Sequence, residues 1–184
     1  MPGQLAVATA PDGAGSRVFG VEGQHSAGLA AEDGPADQWL LRWFDPLTLG
    51  PQGAVALPAP PRALAAAADG DAYILAEPSG LARMSWLVRV DVHRAAVRSL
   101  GAVPGSGAGG LIIVGDRLYV PDPEGDAVTL IDRRTGAALP AAGSGRGPVG
   151  VAFVGGDLAG GVGVGRRSVV DRWGATGPPV PAVG

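Results

Sequence analysis

The sequence predicts an all-β fold made of four similar units, each of four antiparallel strands, and three observations carry that prediction. With 32 Gly and 17 Pro in 184 residues, long helices are disfavoured, because an interior Gly costs about 1 kcal/mol against Ala and a Pro about 3. The same chain is 46% apolar, so it can bury a core, unlike the polar low-complexity chains that share such a Gly and Pro load. Finally, the chain is self-similar at a period of roughly 40 to 46 residues, the range of repeat architectures.

The units run about 2–60, 61–107, 108–147 and 148–184 and make one domain, each unit opening on Pro2, Pro61, Ala108 or Pro148. In the first, Asp12-Gly13 marks a hairpin, Phe19 follows on the second strand, and Leu49-Gly50 marks a second hairpin after Asp45. The stretch 20–38 is an insertion between the second and third strands. In the second unit the same frame recurs as Asp69-Gly70, Tyr73, a third strand ending in Asp91, and a fourth strand leading to Pro104. The third is the clearest copy, with an apolar strand at 111–114, Gly115-Asp116, Tyr119, a strand at 126–132 ending in Asp132, and Thr135-Gly136. The fourth keeps the apolar strand at 151–154, Gly155-Gly156 and Asp171, but Ala159 stands in the aromatic position and 160–165 is a Gly/Val alternation.

Each feature has a physical reason. Asp-Gly and related pairs supply the positive φ of tight hairpins. Apolar runs without alternation, at 111–114 and 151–154, suit first strands covered on both faces. An Asp closes the third strand of every unit, at Asp45, Asp91, Asp132 and Asp171. A four-stranded antiparallel unit cannot cover both its faces alone, and radial stacking of such units solves that problem. The expected architecture is therefore a β-propeller of about four blades, whole or partial.

The segment from Tyr119 to Gly136, followed by Gly147-Pro-Val-Gly-Val-Ala152, resembles the YVTN-type β-propeller repeat. Its pattern is an aromatic-Val-x-(Asn/Asp) strand, a Val-x-x-Ile-Asp strand, a Thr-Gly turn and a Gly-x-x-Pro-x-Gly-Val-Ala opening. Units two and three match well, unit one matches around its insertion, and unit four departs. The resemblance implies a bladed scaffold, and since such scaffolds host unrelated functions it implies no activity. Family members have more blades than four. Three arrangements stay open: a closed four-blade ring, a piece of a longer propeller, or an arc completed by self-association.

Charge and composition exclude several classes. The net charge of −3, with 14 basic residues against 17 acidic, opposes a phosphate-binding surface, so nucleic acid is not an expected partner. Without Cys there are no disulfides, thiolate nucleophiles or Cys-bound zinc. No stretch reaches the roughly 20 apolar residues of a membrane helix, and the N-terminal residues lack a signal-peptide pattern. The compartment stays open, cytoplasmic or exported if the N-terminus is truncated.

Candidate chemistry is sparse. Two Gly-x-Gly-x-x-Gly runs, 105–110 and 145–150, precede strands and not helices, so they read as blade connectors; no cofactor is expected. Asp122, Glu124 and Asp126 lack the ligand spacing of a calcium loop and read as a solvated turn. His25 and His93 are the only histidines, too few for a three-His metal site, and neither Ser26 nor Ser79 sits in a nucleophile elbow. No catalytic or metal-binding residue is assigned. Trp39, Trp43 and Trp86 lie on or beside third strands and read as inter-blade packing, while Trp173 completes the four tryptophans.

In a propeller the loops between second and third strands share a rim with the blade connectors, here 20–38, 78–84, 121–125 and 143–147. Loops on a rigid frame carry recognition. Arg83, Asp122, Glu124 and Arg146 are accordingly the expected contacts for a protein or small-molecule partner. The function read from the sequence is a non-catalytic binding scaffold. The alternative is part of a propeller enzyme, lyase, lactonase or quinoprotein dehydrogenase-like, whose site needs further blades.

Overall fold

In a computed structural model the backbone is described for residues 5–8, 17–24, 38–77, 84–104, 110–122, 125–143, 148–154, 157–164, 167–174 and 179–180. Side-chain environments are described for 17–23, 38–77, 84–103, 110–122 and 125–140. These residues form 16 strands and four sheets. The first sheet holds β1 (Leu5–Ala8), β2 (Arg17–Gln24), β3 (Gln38–Phe44) and β4 (Pro51–Leu57). The second holds β5 (Pro61–Ala66), β6 (Ala72–Ala76), β7 (Met84–Asp91) and β8 (Ala96–Pro104). The third holds β9 (Ile112–Val114), β10 (Arg117–Asp122), β11 (Ala127–Asp132) and β12 (Ala138–Gly143). The fourth holds β13 (Pro148–Val154), β14 (Asp157–Val164), β15 (Arg167–Gly174) and β16 (Pro179–Val180).

Every sheet is an antiparallel meander in chain order. The sheets meet along their first strands, β1 against β5, β5 against β9, and β9 with β10 against β13. That is the placement of blades side by side about an axis, and it follows from the need of each sheet to cover two faces.

The core lies between sheets and not within a single layer. One seam joins Phe19, Leu41, Trp43 and Leu57 of the first sheet to Ala72, Ile74, Val88 and Val90 of the second. The next seam joins Tyr73, Leu75, Leu87 and Val103 of the second sheet to Leu118, Val120 and Ile131 of the third. Because side chains alternate across a strand, neighbours along β6 serve different seams. All five of its residues are buried. Fully burying each large aliphatic side chain contributes roughly 1.5–3 kcal/mol. Phe19, Tyr73 and Tyr119 occupy matching places in their sheets, opposite Trp43, Arg89 and Leu130 respectively.

Burial of the strands departs from expectation in one respect. The first strand β9 is only half-buried, whereas β6 and most of β10 are buried on both faces. A second strand has ladder partners on both sides and a sheet over each face; a first strand has a ladder partner on one side only. Trp86 departs too. Trp39 and Trp43 pack between the first two sheets as expected, but Trp86 remains 41% exposed. Its side of β7 continues the face of Val88 and Val90 beyond the seam, toward the rim.

Asp45, Asp91 and Asp132 each organise the turn into the fourth strand. Their Oδ1 atoms accept backbone N–H bonds from the residues two and three places on, at 2.7 to 3.1 Å. Thr48 and Thr135 add hydroxyl donors to the same oxygens. The fourth position after each Asp takes positive φ: Leu49 (54°), Ala95 (48°) and Gly136 (79°). Asp171 does not close its strand. It lies inside β15, opposite Gly160, because its hairpin partner β14 is long enough to pair on past it. Strand pairing therefore runs on through Trp173 and Gly174.

Candidate functional site

The turn from β5 into β6 is built on Asp69-Gly70. Gly70 adopts φ of 90° and its N–H donates to the Ala67 carbonyl at 2.9 Å, while the Asp71 carbonyl accepts from the Ala67 N–H at 2.8 Å. A Cβ on Gly70 would lie 2.6 Å from Nη1 of Arg17, so this turn seats a side chain from the first sheet. The tight turn delivers Asp71 to the sheet's end, where it is buried.

Asp71 meets Arg89 across the strand pair. The Arg89 Nε and Nη2 both approach Asp71 Oδ2, at 2.6 and 2.5 Å. Burial pushes the Asp71 carboxyl above the usual carboxylate range, and the Arg89 guanidinium opposes that rise without cancelling it. Burial works against the charge on Arg89, yet the hydrogen bond and charge of Asp71 outweigh it, and the guanidinium is held above its ordinary value.

A second charged link crosses between sheets. Arg133, from the turn after β11, places Nη2 2.9 Å from Asp69 Oδ2 and 3.9 Å from Asp116 Oδ1. Its guanidinium lies 5.8 Å from the Tyr73 ring centroid, within cation–π range. Burial raises the Tyr73 phenol. Nearby, Arg94 pairs with Asp91 at 2.7 Å. The Arg94 hydrogen bond holds the Asp91 carboxyl below its ordinary value.

These groups surround a cleft of about 420 Å³ lined by Asp69, Asp71, Arg89, Asp91, His93 and Arg94. Arg94 is 81% exposed, and His93 is exposed beside it. Most carboxylates here are already matched by guanidinium groups. The arrangement offers hydrogen bonds and charge to a small polar group at one end of the second sheet. Among the described residues no group of three or more His, Asp or Glu is placed to hold a metal ion. No described helix is long and apolar enough to cross a membrane.

The cleft lies at the end of the sheets opposite to the rim singled out by the sequence. On that rim Asp122 ends β10, and its Oδ1 accepts the Gly125 N–H at 3.1 Å, which shapes the turn. Arg83, Glu124 and Arg146 lie outside the described residues, as do His25, Ser26 and Ser79. Sequence reading missed the cleft because two of its three pairs are far apart in the chain: Asp71 and Arg89 are 18 residues apart, and Asp69 and Arg133 come from different sheets. The one available signal was the repetition of Asp residues around both hairpins of the second unit.

Four antiparallel sheets side by side, with the described core in the seams between the first three, place the chain among the β-propellers, of which it forms four blades. No family model matches the chain, and no curated protein does. Among solved structures it is similar to hydrazine synthase of Kuenenia stuttgartiensis, with 22% identity, a TM-score of 0.65, and coverage of 98% of this chain and 48% of that one. It is also similar to a prolyl endopeptidase, at 17% identity and TM-score 0.62, over 97% of this chain and 27% of the other. A chain of the nidogen/laminin complex shares 10% identity at TM-score 0.52, over 91% and 74%. The chain thus spans about half the length of the first and about a quarter of the second. The likeness is one of fold.

Proposed function

We propose that this chain is a non-catalytic β-propeller scaffold of the YVTN type that binds a protein or small-molecule partner through loops on one rim. The observation that supports it is the two-sided burial of the middle sheets, which holds the strand ends as fixed platforms for their loops. Arg83, Asp122, Glu124 and Arg146 are the proposed contacts. Asp122 stands at the end of the buried strand β10, which fixes where its loop begins.

A second reading is a part of a longer propeller enzyme. It is favoured by the limited share, 48% and 27%, of two enzyme chains that the match spans. Thermal unfolding with and without calcium separates the two. Saturation at a hundredfold excess over the dissociation constant adds about 2.7 kcal/mol, which for this chain length is a rise of roughly 5–10 °C. No rise is expected for the scaffold; such a rise would move the protein to the metal-dependent enzymes. The rim itself is tested by photo-crosslinking from positions 83, 122 and 146 against positions 94 and 134 at the other end. Adducts confined to the first set support the rim, and equal labelling of both ends overturns it.

A further inference from the structure

The outward face of the first sheet is built differently from its equivalents in the next two blades. Alternation places Val18, Gly20 and Glu22 of β2 and Leu40, Arg42 and Phe44 of β3 on the side away from the seam with the second sheet. The same places in the second sheet are Ala72, Ile74, Val88 and Val90, each 0 or 1% exposed. In the third they include Leu118, Val120 and Ile131, all fully buried, with Thr129 nearly so. At the centre of this face, where the second sheet pairs Ile74 with Val88, the first sheet pairs Gly20 with Arg42. Arg42 Nε then donates to Glu22 Oε2 at 2.6 Å, and the two side chains are 37% and 53% exposed. Around them Val18, Leu40 and Phe44 are half-buried, and Ala54 and Ala56 are exposed.

An ordinary blade seam laid over this face would strip water from both ions without offering either a new partner. Among the described residues the face is instead a mixed one, an apolar field around one cation and one anion, which is the composition of a protein interface and not of a blade core. A surface carrying one charge of each sign is complementary to itself about a two-fold axis, the isologous arrangement of most homodimers. We infer that this face pairs with the same face of a second copy of the chain, with Arg42 of each copy meeting Glu22 of the other. This inference is independent of the rim reading, since the proposed rim contacts belong to the second and third units and the face to the first.

Sedimentation of the purified 184-residue chain tests it through charge exchange. The parent chain is expected to be a dimer. Arg42→Glu makes the face wholly acidic and Glu22→Arg makes it wholly basic, and each is expected to weaken dimerisation at least roughly tenfold. An equimolar mixture of the two variants is expected to restore a one-to-one dimer. Ala54→Arg, at an exposed position outside the ion pair, is expected to dissociate the dimer without disturbing the sheet, with circular dichroism confirming the fold of every variant. A monomeric parent chain, or a dimer unaffected by all three substitutions, overturns the inference.

Discussion

Replacing Ala95 and Leu49 by glycine is expected to stabilise the protein. Both residues hold the fourth place after the turn-forming Asp, with φ of 48° and 54°, where an L-residue with a Cβ is strained by about 1–2 kcal/mol. Glycine removes that strain but gains freedom in the unfolded chain, which offsets about 0.4–1 kcal/mol. The net expectation is roughly 0.5–1 kcal/mol for each substitution. Leu49 is 63% exposed, so little apolar burial is lost with its side chain. The two turns belong to different sheets, so the effects should add to within about 0.5 kcal/mol. The double variant should then melt roughly 2–8 °C higher. The third blade supplies the mirror experiment. Gly136 already occupies the matching place at φ of 79°, and a Cβ there would stand 2.5 Å from the Leu100 carbonyl oxygen and 2.7 Å from its Cβ. Gly136→Ala should cost about 2–4 kcal/mol, from backbone strain plus the clash with a neighbouring sheet. Urea unfolding followed by circular dichroism, with unchanged denaturant slopes as a check on two-state behaviour, measures all four proteins. Destabilisation by Ala95→Gly and Leu49→Gly, or a neutral Gly136→Ala, would refute the reasoning.

Three further outcomes follow from the same structure. Gly53 lies beneath the indole of Trp43, which leaves no room for a Cβ; Gly53→Ala should cost about 1–3 kcal/mol by overpacking and shift the tryptophan fluorescence, and an unchanged spectrum and midpoint would argue against the packing described. Arg133→Met removes the link to Asp69 and the contact with Tyr73, and, because Asp69 is 45% exposed, only about 1 kcal/mol should be lost, measured by urea unfolding; a loss reproduced in full by Arg134→Met would show that the link plays no part. For acid stability, the carboxyls of Asp45, Asp91 and Asp132 are held below their ordinary values by hydrogen bonds from their own turns. Their contribution is present above the unfolded-state value, near 4, and is lost as pH falls through the lower folded values. Asp71 has the opposite sign: its raised value means a contribution present below the unfolded value and lost as pH rises through the folded one. Unfolding midpoints of Asp132→Asn and Asp71→Asn, each compared with the parent chain from pH 2.5 to 7, should therefore diverge from it in opposite senses, and parallel curves would contradict both assignments.

What the sequence made legible was whatever repeats locally. The Phe19, Tyr73 and Tyr119 positions were visible from their offset to the first hairpin, and their sheet registers match. The place of Asp45, Asp91 and Asp132 at the ends of third strands was visible in the repeat, and the Asx turn each forms needs only the next three residues. Asp171 was misplaced because its ladder with β14 continues past it to Gly174, a matter of partner length that the recurring letter does not carry. The cleft was hidden for a different reason. Its pairs, Asp71 with Arg89 and Asp69 with Arg133, form across a ladder and across a seam, and such partnerships depend on register and blade spacing that no local pattern encodes. Trp86 was read as packing because its strand position matched that of Trp39 and Trp43, but the seam ends before it.

In β6, Ile74 and Leu75 answer to different neighbouring sheets, and no residue of the strand is left idle. Variation that leaves the fold intact is thereby channelled away from the spokes and toward the perimeter, where Leu47, Trp86 and Val97 are exposed. A lineage descended from such a chain could rewrite its margins while its inner strands stayed letter for letter the same.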